Sequence, residues 1–93
     1  MMLEGYWVYI LKCSDGSLYT GSTVDLPRRL KAHLSGKASK YTRSRLPVIL
    51  GHVEKAADRG SALRREAQIK KLTRREKLSL CRAYGTEKRQ VMS

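Results

Sequence analysis

The sequence has few cysteines, few acidic residues and no long apolar run, and each shortage excludes a class of protein. Its two cysteines, Cys13 and Cys81, lack the spacing of metal ligands. This argues against a zinc site or a disulfide and predicts reduced thiols in a cytoplasmic protein. The longest apolar stretch, Tyr6 to Leu11, is far shorter than the roughly 18 residues of a membrane span and lacks signal-peptide features. We therefore expect neither a membrane protein nor a secreted disulfide scaffold.

Acidic residues are outnumbered by basic ones. With 20 Lys+Arg and 8 Asp+Glu among 93 residues, the formal net charge is +12. This length suits one small domain, which excludes a two-domain enzyme. We expect residues 1–85 to form that single domain and residues 86–93 to form a flexible C-terminal tail. So strong a positive charge predicts attraction to a polyanion.

The positive charge lies in two blocks. Residues 28–45 include seven basic and no acidic residues, and residues 59–89 include eleven basic and three acidic ones. A solvated surface would explain each cation taken singly. However, two blocks of one sign repel themselves unless an anion is bound, and nucleic-acid phosphate is the expected anion. The candidate nucleic-acid-binding residues are Lys31, Lys37, Lys40, Arg43, Arg45, Arg65, Lys70, Lys71 and Arg74.

Two short strands are predicted near the N-terminus. They cover Tyr6 to Leu11 and Leu18 to Gly21, with a turn at Gly16 between them. A two-residue loop would place Tyr9 and Tyr19 on opposite faces of the hairpin. A three-residue loop with a left-handed Gly16 would place both tyrosines on one face. The residues alone leave both registers open.

A first helix is expected after the hairpin. Asp25 can cap it, Leu26, Leu30 and Leu34 form an apolar stripe at helical spacing, and Gly36 ends it.

Helical geometry also orders the polar residues of this helix. At 100° per residue, Arg29 and His33 flank the apolar stripe one above the other, whereas Arg28 points to water. An ordinary surface arginine and a satisfied half-buried histidine would look the same taken alone.

The rest of the chain predicts one strand and two helices. Residues 48–53 alternate poorly, so we expect a central strand covered on both faces. Helices follow at 62–72 and from a capping box at 73–76 to about residue 85. The order is β-β-α-β-α-α, which indicates an α/β (α+β) fold.

Glu66 lies at an unexpected place on the second of these helices. Its position falls within the apolar face formed with Ala62, Leu63 and Ile69. Burying a carboxylate is costly unless it is paired or binds a metal. An ion pair with Lys70 one turn later is the simpler explanation. A ligand for Mg²⁺, completed by water and substrate phosphate, is the functional one.

Taken together, these residues form an ordered pattern that runs from Trp7-Val8-Tyr9 through Tyr19-Thr20-Gly21 to Arg29, His33 and Glu66. This pattern resembles the GIY-YIG endonuclease superfamily, in particular its small stand-alone members. The resemblance extends from residue 6 to about residue 82. Trp7 stands where the first motif has glycine, and Thr20 stands where the second has isoleucine.

Two further departures lie near the expected site. Ser22 replaces a lysine of the excision-repair members of the superfamily. The chain also has no asparagine, so it lacks the one that follows the metal-binding glutamate in some members.

The resemblance implies a small three-stranded antiparallel sheet flanked by helices, with both motif tyrosines at one cleft. The three-residue hairpin loop is therefore the register we expect. By position, the catalytic residues are Tyr9, Tyr19, Arg29, His33 and Glu66, and Glu66 is the ligand for Mg²⁺ (or Mn²⁺). One tyrosine would activate water and the other would orient water or phosphate. The resemblance does not assign the two roles.

The function implied is a divalent-metal-dependent endonuclease that hydrolyses phosphodiester bonds in DNA. Structure selectivity or weak specificity in repair or recombination is expected, with RNA open as a substrate and a larger repair protein as a partner. One alternative is a non-catalytic nucleic-acid-binding module that keeps the fold. The other is an interaction subunit that docks on a larger nuclease.

Overall fold

A computed structural model describes the backbone of residues 5–92 and the side chains of residues 5–85. The α/β (α+β) class and the predicted order of elements are confirmed. One short helix is added within residues 37–45, for which the sequence predicts a polar, basic loop. The elements are β1 (Tyr6–Cys13), β2 (Leu18–Thr23), α1 (Leu26–Leu34), α2 (Lys40–Arg43), β3 (Val48–Ala56), α3 (Arg59–Lys71) and α4 (Arg74–Met92).

The hairpin has the three-residue loop that was expected. Leu11 pairs with Tyr19, and Gly16 has φ +86°, the left-handed conformation that glycine adopts without steric cost. Directly opposed residues of an antiparallel pair share a face of the sheet. Tyr9 and Tyr19 therefore lie on one face.

The strand order is β2-β1-β3, so β1 is central and β3 is an edge strand of the described sheet. The expectation of a central third strand is wrong. Its poor alternation comes from a bulge, because the register with β1 shifts between Ile10 and Leu11 and leaves Gly51 as an extra residue. One extra residue reverses which side chains face the core.

Helices cover both faces of the sheet, and each face has its own buried core. The face under α1, which we call the α1 face, buries Tyr9, Leu11, Cys13, Leu26 and Val48. The opposite face, which we call the α3 face, buries Val8, Ile10, Ala62, Ile69 and Cys81. On the α3 face, α3 packs against β2, whose outer edge is unpaired within the described sheet.

Local sequence signals explain where the helices begin. The Asp25 side chain accepts a hydrogen bond from the backbone N–H of Arg28 at 3.1 Å, which caps α1 as predicted. The predicted capping box is also present before α4. There the Thr73 N–H donates to the Glu76 carboxylate at 2.9 Å, and the Glu76 N–H donates to the Thr73 hydroxyl at 3.2 Å.

The far end of α4 differs from its prediction. The helix passes Gly85, where we expected it to end, and continues to Met92. The side chains of residues 86–93 lie outside the described residues, so the flexible tail stays a prediction. Among the described residues, no helix is long and apolar enough to cross a membrane.

Two leucines expected in the core are exposed. Leu34 is 56% exposed, and His33 takes the buried position next to it. Residues four apart are offset by 40° around a helix, so Leu34 has rotated 80° away from buried Leu26. Leu63 on α3 is likewise 48% exposed, because the buried face of that helix runs through Ala62 and Ile69.

Candidate active site

The residues singled out in the sequence come together around the free edge of β2. Tyr9 and Tyr19 lie on the α1 face of the sheet. Ser22 pairs with Val8 and so points to the α3 face. There its hydroxyl donates to Glu66 Oε1 at 2.6 Å. Side chains from both faces therefore reach the same edge.

A buried chain of hydrogen bonds runs through the tyrosine side of the site. The Tyr9 hydroxyl lies 2.9 Å from His33 Nε2, and His33 Nδ1 lies 2.9 Å from Thr42 Oγ1. The Thr42 hydroxyl can donate to the Ser39 carbonyl at 3.4 Å, which leaves its oxygen to accept from Nδ1–H. This network assigns the His33 tautomer, and Nε2 then accepts a hydrogen bond from the Tyr9 hydroxyl.

Burial sets the protonation states in this chain. Burial raises the pKa of Tyr9 to about 12, and the neighbouring Tyr19 adds to the rise, although the Arg29 guanidinium beside the Tyr9 hydroxyl opposes it. Burial lowers the pKa of His33, and the Arg29 cation lowers it further. His33 is therefore neutral near pH 7 and suited to accept a hydrogen bond from Tyr9.

The glycine of the second motif makes room for the first motif. A Cβ at Gly21 would lie 2.6 Å from the Tyr9 hydroxyl oxygen and 2.8 Å from Tyr9 Cζ. Tyr9 is fully buried, so its ring has no free space into which to retreat. A residue without a side chain is therefore required opposite Tyr9.

The Glu66 carboxylate is held by two partners. Besides the Ser22 hydroxyl on Oε1, the Lys70 ammonium lies 2.7 Å from Oε2. Burial raises the pKa of Glu66, but the hydrogen bonds from Lys70 and Ser22 outweigh that effect, so its pKa is below the usual value. The carboxylate is ionised at neutral pH, and its side chain is 18% exposed.

The chemistry of this donor set fits a magnesium ion shared with substrate. Among the described residues, no cluster of three or more His, Cys, Asp or Glu side chains surrounds a common point. A metal at Glu66 would therefore have at most two such protein ligands among the described residues. Mg²⁺ commonly binds one or two carboxylates and completes its shell with water and phosphate oxygens.

Aromatic rings lead from the buried chain to the surface. The Tyr19 ring is 5.1 Å from His33 and 5.9 Å from Tyr41, measured between centroids. The Arg45 guanidinium covers Tyr41 at 3.8 Å. Arg45 also donates from Nε to Asp15 at 2.9 Å, so this side chain is fixed within the protein.

The nine candidate nucleic-acid-binding cations divide into two groups. Four have partners within the protein. Three form ion pairs, Arg45 with Asp15, Arg65 with Glu54 and Lys70 with Glu66. The fourth, Arg74, donates a hydrogen bond to the Gly16 carbonyl. Within the described part of the chain, no hydrogen bond or ion pair engages the other five side chains, which are Lys31, Lys37, Lys40, Arg43 and Lys71. These five are free to meet an anion.

Sequence reasoning missed the roles of two supporting residues, Thr42 and Ser22. Thr42 is fully buried in a segment that looked like a polar loop, and nothing in its local pattern indicated that it orients His33. Ser22 could have been found, because strand alternation places it on the face opposite Tyr19 and thus toward the helix that carries Glu66.

The chain is similar to known proteins along most of its length. The family described as the GIY-YIG catalytic domain matches residues 5–79. The chain is 56% identical over 75 residues to the UPF0213 protein of Syntrophus aciditrophicus, across 80% of this chain and 86% of that protein.

Two solved structures are similar along most of their length. The solution structure of the UPF0213 protein BH0048 from Bacillus halodurans has a TM-score of 0.56 at 46% identity, covering 86% of this chain and 85% of that one. The solution structure of the protein EF2693 from E. faecalis has a TM-score of 0.61 at 40% identity, covering 91% of both chains.

Proposed function

The chain belongs to the GIY-YIG family, and from this premise we propose that it is a divalent-metal-dependent endonuclease that hydrolyses phosphodiester bonds in DNA. We assign it structure selectivity or weak sequence specificity and a role in repair or recombination. The supporting observation is the convergence of Tyr9, Tyr19, Arg29, His33 and Glu66 at the free edge of β2. A surface that only binds nucleic acid has no need of a carboxylate among so many cations.

Glu66 is the residue that we assign to the metal, Mg²⁺ (or Mn²⁺). Bound there, the ion would neutralise phosphate charge and supply a Lewis acid. The exposed Arg29 can bind phosphate oxygens bidentately and stabilise the charge that grows in the transition state.

The exposure of the two tyrosines supports different roles for them. Tyr19 is half-buried, so its side chain can meet water at the protein surface, and we assign its phenolate form to orient the attacking water and accept the proton that this water loses. Tyr9 is fully buried and cannot meet that water. Its hydroxyl, fixed by His33, instead positions the Arg29 guanidinium, so Tyr9 and His33 act as positioning residues.

The partners follow from the free cations. Lys31, Lys37, Lys40 and Arg43 lie on α1, on α2 and between them, on the side of the sheet that carries both tyrosines. A DNA backbone that follows them reaches the site.

We place the protein in the cytoplasm. Its two buried cysteines, Cys13 and Cys81, are free thiols, and a reducing compartment keeps thiols in that state.

A cleavage assay tests this assignment. Branched, single-stranded and duplex DNA, with an RNA duplex for comparison, are incubated with Mg²⁺, Mn²⁺ or EDTA. We expect metal-dependent cutting by the wild type and none by Glu66→Gln. Glu76→Gln is the matched control, because that carboxylate caps α4 away from the site. Equal cutting by Glu66→Gln and the wild type would contradict the proposal.

One observation favours the alternative of a non-catalytic binding module. Both oxygens of Glu66 already have partners in Ser22 and Lys70, as in an ordinary structural ion pair. Salt-sensitive DNA binding without cleavage, under every metal and substrate tried, would identify the protein as such a module.

A further inference from the structure

Between β2 and α1, an apolar side chain stands out from the cationic surface. Val24 is 58% exposed, although valine gains free energy from burial. It lies between two open depressions, and Thr23 and Val24 line both of them. Together these two residues form the wall that separates the depressions.

The two depressions lead to different parts of the proposed site. One, of about 240 Å³, is lined by Ser22, whose hydroxyl holds Glu66, and by Ala62, Leu63 and Arg59. Its lining is mixed, with Ala62 and Leu63 apolar and Arg59 cationic, and this combination suits the flat face of a base.

The second depression, of about 340 Å³, is lined by Arg28, Arg29 and Ala32, together with Asp25. The Asp25 carboxylate is occupied in capping α1. The two arginines therefore make this depression positively charged, which suits a phosphate.

Resting on the proposed function, we propose that Val24 is a wedge that inserts between adjacent bases of the bound DNA strand. The displaced base then enters the depression lined by Leu63, and the neighbouring phosphate lies against Arg28 and Arg29. Proteins that bind the minor groove insert apolar side chains between base steps and unstack them in this way. Unstacking costs least where the stack is already weakened, so the wedge gives the enzyme its preference for branched, mismatched or flexible DNA.

The test uses a DNA duplex with 2-aminopurine beside a mismatch, because this base brightens when it is unstacked. Binding is measured in EDTA, so that no strand is cut. We expect wild-type protein to raise the fluorescence. Val24→Ser should remove that rise and weaken binding roughly tenfold, since the contacts that the valine makes between the bases of the bound DNA are lost. The matched control is Leu34→Ser, an apolar residue that is 56% exposed and lines neither depression.

Each outcome separates the wedge from the nuclease. Cleavage by the wild type without a fluorescence change would overturn the wedge and leave the nuclease intact. A fluorescence rise that depends on Val24 without cleavage would support the wedge and contradict the nuclease. If Val24 instead packs against a second copy of the chain, sedimentation will show a dimer that Val24→Ser dissociates, and the wedge is wrong.

Discussion

Replacing Gly21 by alanine would place a methyl group where the Tyr9 ring now lies. The new Cβ would lie 2.6 Å from the Tyr9 hydroxyl oxygen and 3.2 Å from Tyr19 Cε2. Because Tyr9 is fully buried and hydrogen-bonded to His33, relief requires its ring to move and that bond to break.

The cost can be worked from these contacts. Overpacking costs about 1–3 kcal/mol, and a buried hydroxyl that loses its partner costs a further ~1–3 kcal/mol. The smaller backbone entropy loss of alanine returns up to about 1 kcal/mol. We expect Gly21→Ala to lower the free energy of unfolding by about 3 kcal/mol and, with Arg29 no longer positioned, to abolish cleavage.

Urea denaturation followed by circular dichroism measures this loss. Gly85→Ala is the control, because a Cβ there meets nothing within 4 Å, and alanine in the α4 helix should stabilise by up to about 1 kcal/mol. In a double-mutant cycle, Gly21→Ala should cost less when Tyr9 is already phenylalanine. Additive losses, or a Gly21→Ala protein within about 0.5 kcal/mol of the wild type, would refute the steric reasoning.

Other perturbations test the remaining parts of the site. Since burial raises the pKa of Tyr9 to about 12 and an unfolded tyrosine ionises near 10, the wild type should lose about 3 kcal/mol of stability as pH rises from about 10 to 12. Tyr9→Phe should not lose it, as alkaline urea titrations would reveal. Lys70→Met removes the ammonium group that pairs with Glu66. The free protein should then bind Mn²⁺ roughly two- to fivefold more tightly by calorimetry. An unchanged affinity would show that Lys70 and the metal do not compete for the Glu66 carboxylate. Arg29→Ala should lower kcat far more than Arg28→Ala, because Arg29 lies beside the Tyr9 hydroxyl as well as in the phosphate depression; equal losses of kcat would contradict the catalytic role assigned to Arg29.

Short-range signals predicted much of this fold. The turn at Gly16 and the cap at Asp25 are local, so the sequence around each contains the physical cause. The end of α4 was not predicted. A glycine marks a helix end only when it adopts a left-handed conformation, and Gly85 lies within the helix instead.

Long-range contacts limited what could be predicted about the site. The resemblance named Tyr9 and Glu66, but not that they approach β2 from opposite faces. That arrangement depends on which face of the sheet α3 covers, and the hydrogen bond between Ser22 and Glu66 joins residues 44 apart in sequence. Thr42 likewise acts through His33, nine residues earlier, in a segment without apolar periodicity.

The decisive measurement for hydrolysis at Glu66 compares the wild type with Glu66→Ala on one labelled branched DNA in Mg²⁺, by single-turnover cleavage and by binding. Loss of the metal ligand removes several kcal/mol of charge stabilisation, so we expect the cleavage rate to fall by at least about 10³-fold. Binding should be unchanged or tighter, because a negative charge has left a cationic surface. Glu66→Ala protein that still cuts at the wild-type rate, free of contaminating nuclease, would contradict a metal site at Glu66.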